Sequence, residues 1–203
     1  MDKEFRNYSS KVSADDESRH IEGYCVLFNS PSQDLGYIER ISPKAITEDT
    51  IRNSDIFCLW NHDNDKVLGR SRYGEGNLKL TIDEKGVKYS LDVINSTAGD
   101  DALANIRSGL VVGSSFAFTL PKDDNADMWE RSADGTLLRT INKIDRLFDC
   151  SPCWEPAYLG TSAKTRSLEL FLEKEAEEKR KKSEEISKKY DNFLAEIDTF
   201  SIL

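Results

Sequence analysis

The chain has 203 residues, 38% of them hydrophobic and 32% charged, with a formal net charge of −9, a size that suits one ordinary domain with an appendage. The acidic balance sets it against phosphate backbones, so no nucleic-acid partner is expected, and no apolar run approaches the roughly 20 residues a membrane helix needs. The opening Met1-Asp2-Lys3-Glu4-Phe5 offers no apolar stretch for a secretion signal, so a cytoplasmic start is expected.

Residues 1–20 read as a polar arm. Ile21 to Asn29 then reads as a strand. Ser42-Pro43 reads as a helix start, with Ser42 as cap and Pro43 at the first helical position, the helix ending near Thr50. Ile56 to Trp60 is apolar on both faces, the mark of a buried strand, and runs into the turn-like Asn61-His62-Asp63-Asn64-Asp65. Leu78, Leu80 and Ile82 alternate with polar residues, as do Val87, Tyr89, Leu91 and Val93. With Asp83-Glu84-Lys85-Gly86 between them, they predict a β-hairpin.

Thr97 to Ser108 predicts a helix with acids in its first turn and Gly109 as its stop. Val111 to Leu120 is again a strand, 121–135 a polar loop, and Thr136 to Ile141 and Ile144 to Cys150 two short strands. Ser167 to Leu203 is a long helix by propensity, polar in its middle, with an apolar stripe at Ile186, Tyr190, Phe193, Leu194 and Ile197. The body, 21–163, thus has about seven strands, with hairpins outnumbering βαβ spacings. The expected fold is α+β, mainly β: a closed or nearly closed barrel with flanking helices. A charged helical extension occupies 164–203.

Chemistry concentrates at a few positions. Of two histidines, His20 lies in the arm and His62 at the end of a buried strand. A hydroxyl nucleophile needs a base, and His62 is the better placed, although a loop histidine without a role is the plain alternative. In Gly113-Ser114-Ser115-Phe116-Ala117-Phe118, alternation puts Ser114 with the two phenylalanines and Ser115 on a face of small side chains that a peptide backbone can approach. Filler serines in a strand are the plain alternative. Asp149 is an acid inside the apolar Leu147-Phe148-Asp149-Cys150, costly there unless paired; Asp145 and Glu155 are the other candidates for a third role.

Cys58, His62, Cys150 and Cys153 together offer the ligands of a zinc site. An extended strand, however, holds residues 58 and 62 about 13 Å apart, too far for one ion. No metal or cofactor is therefore expected, and the cysteines read as small buried hydrophobes of a reducing compartment.

Four blocks resemble the prohead-protease family of tailed bacteriophages, whose fold is related to the herpesvirus assemblin proteases. They are Glu22-Gly23-Tyr24-Cys25-Val26-Leu27-Phe28-Asn29; Leu59-Trp60-Asn61-His62-Asp63 with Val67-Leu68-Gly69-Arg70; Arg107-Ser108-Gly109 through Val112-Gly113-Ser114-Ser115-Phe116-Ala117-Phe118; and Asp149-Cys150-Ser151-Pro152 through Glu155-Pro156-Ala157-Tyr158. Order and spacing carry the resemblance, which spans about 21–163.

It implies a serine endopeptidase with Ser115 as nucleophile, His62 as base and an acid of the closing block, Asp149 here where many phage relatives have Glu, as third member. The herpesvirus branch uses a second histidine, which only the badly placed His20 could supply, and paired arginines, absent here. The implied substrates are the major capsid protein or scaffold and the chain itself, cut in the host cytoplasm inside the assembling prohead, with a homo-oligomer, such as a dimer, and no membrane partner. The alternative is a non-enzymatic assembly or scaffolding protein working through its C-terminal helix.

Overall fold

A computed structural model of the chain describes residues 3–8, 12–154 and 166–200. The chain divides into two compact units, Met1–Ser162 and Ala163–Leu203. The first holds thirteen described strands: β1 Glu4–Tyr8, β2 Ser13–Ala14, β3 His20–Leu27, β4 Ile38–Ile41, β5 Asp55–Trp60, β6 Asp63–Arg72, β7 Glu75–Gly76, β8 Lys79–Ile82, β9 Gly86–Asp92, β10 Gly113–Thr119, β11 Asp127–Arg131, β12 Leu137–Ile141 and β13 Arg146–Cys153. Two helices, α1 Glu48–Arg52 and α2 Thr97–Arg107, lie between them.

The fold is α+β and mainly β, but not a barrel. Three sheets form, ordered β1-β10-β13-β5-β6-β7, β11-β12-β4 and β2-β3-β9-β8. Closure would require the end strands of one sheet to pair with each other. Here β1 and the two-residue β7 end the largest sheet, and β2 and β8 end another. Two joins are parallel, β13 with β5 and β12 with β4, and parallel joins need long connections that a reading by hairpins does not anticipate.

Local chemistry explains the elements. The β8–β9 hairpin forms where alternation and the Asp83 to Gly86 turn predict it. The first helix starts at Thr47 and not at Ser42, because Thr47 and Thr50 form a reciprocal capping box with Glu48 and Asp49 in the first turn. The Ser96 hydroxyl caps α2, whose Ala102, Leu103 and Ile106 are buried. Gly109, at φ 73°, takes the left-handed conformation that ends it.

The core lies between the sheets, built by Ile21, Val26, Ile56, Leu68, Tyr89, Leu91, Phe116, Phe118 and Leu147. On its border sits a buried ionic cluster that ties β1 to the three-stranded sheet. Arg6 Nε donates to Glu39 Oε1 at 2.5 Å, Arg139 Nη1 to Glu39 Oε2 at 2.9 Å and to Glu4 Oε2 at 2.7 Å, and Arg139 Nε to Asp127 Oδ2 at 2.8 Å. Arg139 is 0% exposed at its side chain.

Burial alone would raise the Glu4 carboxyl, but Arg139 and Arg6 hold it below its ordinary value of 4.5. Its contribution to stability is therefore present above 4.5 and is lost as the pH falls through the lower folded-state value. Arg139→Met should remove the cation that Glu4, Glu39 and Asp127 share, leaving Glu4 and Glu39 with Arg6, and cost about 3–5 kcal/mol near neutral pH, with a smaller loss below pH 4.5, as Glu4 takes up a proton. Urea melts at the two pH values measure this; equal losses at both would refute the electrostatic account.

The second unit contains α3, Arg166–Phe200. Its surface carries (i, i+4) pairs, Glu177–Lys181 at 2.7 Å and Glu185–Lys189 at 3.0 Å, and Ile186 and Tyr190 are exposed. The side chains of Phe193, Leu194 and Ile197, the rest of the apolar stripe, lie outside the described residues.

Candidate active site

His62 sits on a two-residue turn between β5 and β6, closed by the Trp60–Asp63 pair. Asn61 and His62 have φ of 52° and 61°. Positive φ at both central residues suits the tightest hairpin turns, and Asn is among the residues that tolerate it. The turn thus turns the chain back sharply at the end of a buried strand, leaving the His62 side chain only 16% exposed.

Strand β13 holds this turn from the side. Asn61 N–H donates to the Pro152 carbonyl at 3.2 Å. The β5–β6 pairing slips at Cys58/Leu59 and again at Leu59/Trp60, and Leu59 N–H donates to Ser151 Oγ at 2.8 Å. His62 Nδ1 and Asp149 Oδ2 lie 2.6 Å apart. A carboxylate oxygen accepts, so Nδ1–H is the donor of this bond, and in the neutral imidazole Nε2 then presents its lone pair. Nε2 is buried and has no hydrogen-bond partner among the described residues. An unsatisfied buried acceptor is uncommon, and a catalytic role is one of the reasons for which such a group is kept.

Strand β10 has the two faces that alternation predicts. Ser114 faces the core, its Oγ 3.0 Å from the Tyr89 hydroxyl, beside the stacked rings of Phe116 and Phe118. Ser115 and Ala117 lie on the opposite face. They pair in register with Ser151 and Asp149 on antiparallel β13, so Ser115, Ala117, Ser151 and Asp149 share that face.

β1 runs along the other side of β10, with Asn7 in register with Ser115 and Phe5 with Ala117. The Phe5 ring meets the His62 ring edge-on at 5.4 Å between centroids. The Ser115 hydroxyl donates to the Arg6 carbonyl at 3.0 Å, and Ser115 is 0% exposed. The sequence placed these β1 residues in a polar arm; only strand pairing across more than 100 residues brings them to the site.

The other candidates fall elsewhere. His20 Nδ1 is 2.8 Å from Asp92 at the exposed end of the central β3–β9 ladder of the four-stranded sheet. Asp145 lies next to Arg146 on the surface, at 4.0 Å. Glu155 lies outside the described residues.

Among the described residues no group of three or more His, Cys, Asp or Glu side chains is arranged to hold a metal ion. Cys150 Sγ faces Cys25 Sγ at 2.9 Å, while His62 engages Asp149. Burial, helped by the Asp149 charge, pushes the Cys153 thiol up to about 12, and burial raises the Cys58 thiol well above its ordinary value. Protonated, buried thiols are poor nucleophiles, so the chemistry of this region falls to its hydroxyls, its imidazole and its carboxylate.

No curated protein matches the chain. Among solved structures, the bacteriophage T4 capsid assembly protease, gp21, is similar over 76% of this chain and 100% of that one, at 11% identity and a TM-score of 0.47. The family model described as caudovirus prohead serine protease matches residues 7–174. That match takes in β3, the His62 turn, the Ser115 strand and the Asp149 strand, and by it the chain belongs to the prohead serine proteases of the tailed bacteriophages.

Proposed function

We propose that this capsid-maturation protease cuts peptide bonds with Ser115 as nucleophile, His62 as general base and Asp149 as the acid that orients the imidazole. The observation that carries the reading is the 2.6 Å contact of His62 Nδ1 with Asp149, which leaves a buried Nε2, without a partner among the described residues, to accept a proton. For attack, the Ser115 hydroxyl leaves the Arg6 carbonyl and turns toward Nε2. His62 takes its proton as Oγ adds to the substrate carbonyl, then returns that proton to the leaving amine. Water, activated in the same way, releases the acyl group from Ser115. Asp149 keeps Nδ1 protonated throughout and stabilises the imidazolium that forms.

The substrates are the major capsid protein or scaffold and the chain itself, cut inside the assembling prohead of the host cytoplasm by a protein that acts as a homo-oligomer. The test is co-expression with the phage's major capsid protein, with mass spectrometry of every new terminus. New termini on the capsid protein or on this chain are the expected result. Shell assembly with no new termini would overturn the protease reading and favour a scaffolding role, for which the exposed Ile186 and Tyr190 on the charged α3 are the supporting observation.

A further inference from the structure

We infer, on the reading that Ser115, His62 and Asp149 form the triad, that Ser151 is the positioning residue of this site: its hydroxyl fixes the Asp149 carboxylate in the orientation that His62 requires. Ser151 is 0% exposed and lies directly across from Ser115 in the β10–β13 register. Its Oγ donates to Asp149 Oδ1, while Asp149 Oδ2 faces His62 Nδ1. The direction of the first bond is forced. Leu59 N–H already donates into Ser151 Oγ at 2.8 Å, and a hydroxyl has one proton, which is left to point at the carboxylate.

A carboxylate turns easily about its last side-chain torsion, which has no sharp staggered wells. Here the two oxygens are assigned to different donors, one from β13 itself and one from the His62 turn. The chain Leu59 N–H to Ser151 to Asp149 to His62 therefore runs from the β5 backbone, through β13, back to the end of the same β5. The turn carrying the base and the acid serving it are held by one closed loop of hydrogen bonds. Ser151 touches no substrate in this arrangement and acts only through Asp149.

The test compares Ser151→Ala and Ser151→Thr with the wild type in steady-state cleavage of a capsid-derived peptide. It also compares the far-downfield proton resonance of the His62 Nδ1–H···Asp149 bond. Ser151→Ala should lower kcat by about 100-fold, the scale of an angstrom-size misplacement of a catalytic group. KM should stay unchanged and the downfield resonance should shift or vanish. Ser151→Thr, which keeps the hydroxyl, should retain most of kcat and the resonance.

Where Ser151→Ala is too unstable to purify, Ser151→Cys, similar in size but a poor donor, takes its place with the same expectation. Wild-type kcat in the variant lacking the hydroxyl, an unmoved resonance, or equal impairment of the alanine and threonine variants would each overturn the assignment. A wild-type protein that cleaves nothing would defeat the triad reading instead, and the resonance comparison would still decide whether Ser151 sets the Asp149–His62 bond.

Discussion

Ser115→Ala is expected to stop cleavage of both the capsid protein and the chain itself, lowering kcat by about 10⁴- to 10⁶-fold, the range found when a triad nucleophile is removed. The same substitution should barely disturb the fold. Alanine fits the space of a fully buried serine, and among the described residues the hydroxyl makes one hydrogen bond, to the Arg6 carbonyl. Its loss should cost about 1 kcal/mol, the usual net worth of one hydrogen bond. Activity and stability are therefore separable at this position. Ser114→Ala is the matching control: it removes a core contact with Tyr89, lies on the opposite face, and should leave most of the activity. Peptide turnover and thermal melting of the two variants, side by side, decide the matter. Comparable turnover in both would end the assignment of Ser115.

Asp149→Asn should lower kcat by about 10⁴-fold through the tautomer and not through the shape of the site. An asparagine fits the same space, and the surrounding donors dictate how its amide lies. The Ser151 hydroxyl donates toward the position of Oδ1, so the amide oxygen settles there and the NH₂ group faces His62. Facing an N–H donor, Nδ1 must give up its own proton. The imidazole then carries its hydrogen on Nε2, the atom that has to accept one from Ser115. Asp145→Asn, on the surface beside Arg146, should leave turnover near wild type. Should Asp145→Asn prove the more damaging of the two, the acid has been misassigned. Because the defect is tautomeric, the Asp149→Asn protein should melt normally and still bind peptide.

The sequence exposed those parts of the site that local patterns govern. Alternation over Gly113 to Phe118 separated Ser114 from Ser115, and the faces agree with the registers of β10. The apolar run from Ile56 to Trp60 placed His62 at a strand end. Asp149 stood out because an acid among apolar residues needs a partner. Polar strands left no such trace: β1, β4, β6 and β11 were invisible to a reading that looks for apolar alternation. β1 and β4 owe their strand character to pairing with the distant β10 and β12, and β1 also to the buried salt bridges of Glu4 and Arg6, while β6 and β11 pair locally with β5 and β12 in hairpins without an apolar alternation to announce them. The barrel expectation failed for the same reason, since counting hairpins cannot reveal that β13 and β5 run parallel. Ser151 was legible only as part of a family-like block. What it touches depends on a register between segments far apart in the chain.

The parallel join of β13 to β5 also has a temporal meaning. His62 and Asp149 are 87 residues apart in sequence, Leu59 and Ser151 92, and Ser115 and the Arg6 carbonyl 109. Contacts of such separation form late, because the entropy of closing the intervening chain is lost before they return any stability. A chain growing at roughly 5–20 residues per second carries its histidine and its serine well before the acid that orients the imidazole exists. On the proposed mechanism, a protein surrounded by its own substrates, and itself a substrate, is thus inert while being made. Its catalytic competence begins with the completion of these long-range strand pairings, so that folding itself is the first control on when it can cut.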